Sequence, residues 1–160
     1  MPESRRSVSS TETEAIAAAL AISLRPGDVV LLQGELGAGK TTFVRGAARA
    51  LGVSAAVTSP TFTIGQLYPL SGEPGQAAVS GLRAVSHLDL YRLGSLAAED
   101  PDLLADYIAP DLIAFVEWPA SGEQELARLG RIAYRIALEH AGGDARRLTI
   151  SAASEPSGRA

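Results

Sequence analysis

The stretch Asp28–Leu51, DVVLLQGELGAGKTTFVRGAARAL, decides how this chain folds. Its first six residues form a short apolar, β-branched run, the pattern of a strand covered on both faces. A glycine-rich loop follows over 34–39. Lys40–Leu51 then reads as a helix, closed by Gly52 just past its C-terminus. The loop satisfies the spacing G-x-x-x-x-G-K-[ST] across Gly34, Glu35, Leu36, Gly37, Ala38, Gly39, Lys40 and Thr41, with Thr42 next. Gly37 and Gly39 let the backbone turn its N–H groups inward with no Cβ in the way. The helix that starts near Lys40 adds the positive end of its dipole at the same point. In such a loop the lysine reaches β- and γ-phosphates, and the hydroxyl of Thr41 is offered to Mg²⁺. Lys40 is the only lysine; the other thirteen basic residues are arginine. A compact ammonium fits between phosphate oxygens where a planar guanidinium fork does not.

Outward from this core, the pattern alternates helices and strands. Residues 1–8 read as a disordered lead. Ser9…Glu12 and Thr11…Glu14 have capping-box spacing before an alanine-rich helix to Ile22, which Arg25-Pro26-Gly27 stops. A strand is expected over 61–68, entered through Ser59-Pro60, then a Gly- and Pro-bearing loop over 71–83, then a strand over 84–90. Ser95 is a candidate cap for a helix that Pro101 breaks or restarts. LIAFVEW, 112–118, is a buried-type strand, and helical character over 123–129 is weak. Two last strands flank Ala141-Gly142-Gly143-Asp144 and read as a hairpin. The expected organisation is one domain over 9–153, with a loose tail from Ser154.

Composition narrows the function classes. The chain has 160 residues, 46% hydrophobic and 20% charged, an ordinary globular balance long enough for a real core. A net charge of −4 gives no clustered basic surface of the kind a free-standing nucleic-acid binder needs. With no cysteine there are no disulfides, thiolate zinc sites or thiol catalysis. No apolar run approaches ~20 residues. Arg5 and Arg6 precede the apolar run 15–22, but Glu12 and Glu14 sit where a secretory signal wants positive charge. A cytoplasmic protein is the expectation.

Phosphate chemistry on Mg²⁺ needs an acid at the end of a neighbouring buried strand. Glu117 ends the run Leu112–Val116, and Asp89 sits in SHLDLYR; either or both serve, one on the metal and one orienting water. Their plain alternatives are a surface residue past a strand and a strand-end cap or partner of Arg92. Thr58-Ser59-Pro60-Thr61 sits where a γ-phosphate-sensing switch is often found, or is a simple turn into a strand. His87 reads as a structural strand residue. Trp118 is an exposed contact or a lid over the nucleotide. Arg146 and Arg147 at the hairpin read as solvated, with an arginine finger as the alternative.

GELGAGKTT, TSPTFTI, HLDLYRL and VEWP, in that order from Gly34 to Pro119, resemble the TsaE (YjeE) family, small P-loop ATPases of bacterial tRNA threonylcarbamoyladenosine modification. The resemblance implies a three-layer α/β P-loop NTPase fold, a mostly parallel central sheet with helices on both faces, ending here in the antiparallel C-terminal hairpin. It implies a weak Mg²⁺-dependent ATPase that binds ATP through Glu35–Thr42. Its partners would be a TsaD-like transferase and a TsaB-like paralogue, with tRNA met through that complex. It implies Thr41 and Glu117 on Mg²⁺, Asp89 as a further site residue, Thr58–Thr61 as the switch, and Ser10 and Thr11 near the adenine. The chain departs from the family in a longer 68–87 segment and in lacking an obvious first strand. Other classes compete. A small-molecule kinase would need an acceptor pocket that 160 residues scarcely provide. A GTPase would need an N-K-x-D motif, and no second lysine exists. A degenerate interaction module would not need Lys40, Thr41, Asp89 and Glu117 together.

Overall fold

Strand β2 (Asp28–Gly34) lies at the centre of a seven-stranded sheet, paired in parallel with β5 (Leu112–Glu117) on one side and β6 (Arg131–His140) on the other. The structure is a computed structural model that describes residues 2–60, 64–71, 79–91, 102–117 and 122–153. The remaining elements are β1 (Glu3–Ser7), α1 (Ser10–Ala21), α2 (Lys40–Leu51), β3 (Gly65–Pro69), β4 (Ala84–Asp89), α3 (Asp102–Ala105), α4 (Glu123–Ala127) and β7 (Arg146–Ala152). The strand order is β1-β7-β6-β2-β5-β4-β3. The expected parallel sheet holds for the four central strands. The flanking pairs β1/β7, β7/β6 and β3/β4 are antiparallel.

Period-two alternation along β2 sorts its side chains between two cores. Val30 and Leu32 join Phe43, Val44 and Ala47 of α2, Ala17 and Ala21 of α1, and Ile113 and Phe115 of β5. Val29 and Leu31 face the other way, with Leu88, Leu104, Ile108, Ala114, Val116 and Leu126. Burial on both faces is why this strand reads as an unbroken apolar run. Its first residue is the exception that anchors it. Asp28 is 2% exposed and accepts both Arg131 Nε (2.7 Å) and Nη2 (2.8 Å), as well as the Arg25 N–H (2.8 Å). A paired, fully hydrogen-bonded carboxylate is tolerated there.

Helix α1 is capped as its sequence predicts. Ser9 Oγ accepts the Glu12 N–H (3.1 Å), and Glu12 Oε2 accepts the Val8 N–H (2.6 Å). The residues before it differ from expectation. The disordered lead expected over 1–8 contains strand β1, in antiparallel register with β7 from Glu3↔Ile150 to Ser7↔Arg146. Its residues are polar because it is an edge strand held by main-chain pairing, and only Ser7 is buried. Ser7 Oγ and Thr13 Oγ1 lie 2.7 Å apart and join β1 to α1. Strand β3 starts at Gly65, and α3 covers part of the helix expected after Ser95 through Ile108. Residues 92–101, most of the 71–83 loop and the tail from 154 lie outside the described residues. Among the described residues no helix is long and apolar enough to cross a membrane.

The alanine-rich composition of α1 lets it lie directly on α2. A Cβ at Gly46 of α2 would stand 2.4 Å from the Glu14 carbonyl oxygen and 2.5 Å from its Cα, so the two backbones touch there. Both atoms are main chain and cannot swing aside. Gly46→Ala is therefore expected to destabilise the protein by about 1–3 kcal/mol, although alanine is the better helix former, because overpacking outweighs propensity. Thermal or urea denaturation checks this; a Gly46→Ala protein as stable as the parent would show that the helices separate freely.

Candidate functional site

The carboxyl ends of β2, β5 and β4 meet at one end of the sheet, where open α/β sheets bind ligands. From β2 the chain turns at Gly34, where a Cβ would stand 2.6 Å from the Leu138 carbonyl oxygen of β6. Gly37 (φ 81°) and Gly39 (φ 106°) are left-handed, a conformation that glycine adopts without strain. Ala38 N–H closes the turn onto the Glu35 carbonyl (3.0 Å). Gly39 caps α2 without a side-chain acceptor, in contrast to the reciprocally capped α1. The first-turn N–H groups of Lys40, Thr41 and Thr42 thus lack both intrahelical and side-chain partners of the capping kind, as an anion cradle requires.

Lys40 Nζ donates to the Gly34 carbonyl (2.5 Å) and lies 4.7 Å from the centre of the Tyr91 ring. The ammonium is thus held at the mouth of the loop by a carbonyl and an aromatic face. Tyr91 is 43% exposed, and its phenol is raised above the ordinary tyrosine value. Partial burial is the largest cause; the backbone of Gly34 works the other way, and the charges of Glu117 and Asp89 add to the rise. Tyr91 lies within the HLDLYR block, but its place over the lysine was not legible there.

The two acids are brought together. Asp89 and Glu117 are direct neighbours in the parallel register of β4 and β5. They face the same side as Val85, Ile113 and Phe115, which is the α2 side. Asp89 Oδ1 accepts the Tyr91 N–H (3.1 Å), the strand-end cap considered for it. Glu117 is 5% exposed, not a surface residue. Its Oε1 lies 3.1 Å from Nε2 of His87, itself fully buried, so His87 belongs to the site and is not only a strand residue. Among the described residues no three His, Asp or Glu groups converge as a metal cage. Mg²⁺ seldom uses one. It takes one or two carboxylates, water and phosphate oxygens, and Thr41, Glu117 and Asp89 fit that donor set.

A second part of the site is a cleft of about 300 Å³ between the start of α1, the loop and the β6–β7 turn. Ser9, Ser10, Thr13, Gly37, Gly39, Thr42, Asp144 and Arg146 line it. Ser10 is where the adenine end was expected. Thr11 is exposed and is not part of the lining. Arg146 Nη1 donates to the Gly143 (3.0 Å) and Ala145 (2.9 Å) carbonyls, and Nη2 donates to Gly37 (3.2 Å). It tethers the turn to the loop, while Arg147 is exposed. Leu36, at the loop tip, is 97% exposed. Thr58 and Ser59 are exposed; the Thr58 N–H donates to the Tyr68 hydroxyl (3.2 Å), and Arg45 Nη2 holds the Val57 carbonyl (3.3 Å). Pro60 is buried; Thr61 and Trp118 lie outside the described residues.

Residues 7–148 match the model of the family described as threonylcarbamoyl adenosine biosynthesis protein TsaE. The tRNA threonylcarbamoyladenosine biosynthesis protein TsaE of Streptomyces coelicolor is 43% identical over 125 residues, covering 78% of this chain and 77% of that protein. The Bacillus subtilis protein of the same name is 38% identical over 148 residues, covering 92% and 84%. The crystal structure of Bacillus subtilis YdiB superposes with a TM-score of 0.68 at 35% identity, covering 95% of this chain and 86% of that one.

Arg146→Ala would free the Gly37 carbonyl and untie the hairpin from the loop. An exposed charge-assisted hydrogen bond of this kind is worth about 1 kcal/mol, so the loop should open about 5-fold more readily with little change in melting temperature. Amide hydrogen exchange across 37–39 reads this directly. Unchanged exchange would make the tether incidental.

Proposed function

The chain belongs to the TsaE family, and from that premise we propose that it is a Mg²⁺-dependent ATPase of the three-layer P-loop NTPase class. Its hydrolysis would serve the threonylcarbamoyl modification of the adenosine beside the anticodon in tRNA. The family's pathway, tRNA threonylcarbamoyladenosine biosynthesis, supports the process assigned. One observation carries the ATPase reading: Lys40 stands at the mouth of a glycine-turned loop whose neighbouring strand ends present Glu117 and Asp89 side by side.

In this reading the loop N–H groups and Lys40 bind the phosphates, and Glu35–Thr42 form the cradle. Lys40 exchanges the Gly34 carbonyl for phosphate oxygens. Thr41 and Glu117 hold Mg²⁺, which when bound supplies charge neutralisation on the phosphates. Asp89, tied by the Tyr91 N–H, either shares the metal or orients the attacking water. Thr58–Thr61 would serve as the γ-phosphate-sensing switch. The cleft between Ser10 and Arg146 takes the nucleoside. The partners are a TsaD-like transferase and a TsaB-like paralogue in the cytoplasm. They hold the tRNA, in keeping with a net charge of −4 on this chain.

The test is ATP hydrolysis with Mg²⁺, with GTP as control, for the protein alone and with the transferase pair. Slow turnover alone and clear stimulation by the pair are expected. Lys40→Ala should lower turnover at least about 100-fold, the cost of losing a donor aimed at developing charge. Asp89→Ala and Glu117→Ala should each lose hydrolysis far more than thermal stability. Turnover that ignores the pair but rises with a small metabolite would sink this reading and point to a kinase.

A further inference from the structure

The buried polar side chains of the described residues are almost all satisfied. Ser7 and Thr13 pair with each other, Asp28 holds Arg131 and the Arg25 N–H, and Ser86 Oγ donates to the Tyr107 carbonyl (2.6 Å). His87 is different. It is fully buried, its Nε2 lies 3.1 Å from Glu117 Oε1, and its Nδ1 is the one buried side-chain polar atom without a partner among the described residues. A histidine kept for packing alone would be satisfied at both nitrogens or replaced by a hydrocarbon. One nitrogen here is committed to a carboxylate at the expense of the other.

We propose that His87 is a positioning residue for Glu117. Its Nε2–H fixes Oε1 from the buried side, so that Oε2 is presented to the metal–nucleotide complex. This rests on the Mg²⁺–nucleotide binding proposed above, not on hydrolysis. The register explains the reach. His87 lies beside Phe115 and Asp89 beside Glu117, so the imidazole sits one step below the strand end and approaches the carboxylate from beneath. A carboxylate oxygen accepts, so in this arrangement Nε2 is the donor of the contact. Asp89 is treated likewise, since the Tyr91 N–H ties its Oδ1. Each of the two neighbouring carboxylates therefore has one oxygen fixed by the protein. Holding a ligand's far atom from behind is a general device for setting metal affinity.

The measurement is the binding of a non-hydrolysable ATP analogue by calorimetry, with and without Mg²⁺, on the parent, His87→Leu and His87→Gln, each with a melting curve. The parent should bind more tightly with Mg²⁺. His87→Leu should lose about 10-fold of that Mg²⁺-dependent gain, while its Mg²⁺-free affinity stays close to the parent's. His87→Gln, whose side-chain amide can stand in for Nε2–H, should recover most of the gain. An undiminished gain in His87→Leu overturns the proposal. So does an equal loss with and without Mg²⁺, or a failure of glutamine to rescue, because either marks a purely structural role. If His87→Leu does not fold, glutamine is compared with the shorter His87→Asn, which cannot reach Glu117; equal gains in those two overturn it. A parent with no Mg²⁺-dependent gain removes the proposal together with the metal. A parent with the gain but no hydrolysis removes the ATPase reading and leaves the positioning role standing.

Discussion

The functional end of this protein depends on the parallel pairing of β2 between β5 and β6. That pairing aligns three strand ends at one edge and buries β2 on both faces. The backbone leaving β2 passes close against the Leu138 carbonyl, where a side chain on residue 34 would collide. The loop, the unshared N–H groups of α2 and the two carboxylates follow from that placement. The same pairing carries Asp28 and Arg131 at the opposite end, where a bidentate ion pair fixes the start of the strand. One end of β2 is thus tied by charge and the other left open for it.

The site is layered by accessibility. Leu36 and Tyr91 stand at its mouth, Lys40 and Thr41 are half-buried, and Glu117 and His87 lie beneath. The cleft lined by Ser10 and Arg146 is built differently, from the start of α1, the loop and the β6–β7 turn. Its walls come from opposite ends of the chain, and β1 joins them through Ser7 and its ladder with β7. Strands β1 and β7 are therefore part of that cleft's frame.

What could be read from the sequence follows from how local each signal is. The apolar run of β2, the glycine spacing of the loop, the Ser9/Glu12 cap and the buried run of β5 are each complete within a dozen residues, and the structure has them in place. Strand β1 was invisible because ESRRS has no apolar alternation; its only reason to be a strand is a partner some 140 residues away. The roles of His87 and Arg146 share that difficulty. His87 meets Glu117 across 30 residues, and Arg146 meets Gly37 across 109. Nothing within the neighbourhood of either reveals the contact. Ser10 and Thr11 are equivalent in sequence, and only the helix rotation turns Ser10 to the cleft and Thr11 away.

Lys40 is held by the Gly34 carbonyl under the Tyr91 ring, and the chain has no other lysine. A protease restricted to lysine therefore has one peptide bond to cut, inside the first turn of α2. Cleavage at that bond needs the turn to unwind locally, so at low protease its rate follows the fraction of molecules in which the cradle is open. The composition thereby gives the loop its own built-in gauge of local opening, readable as two fragments on a gel without any label.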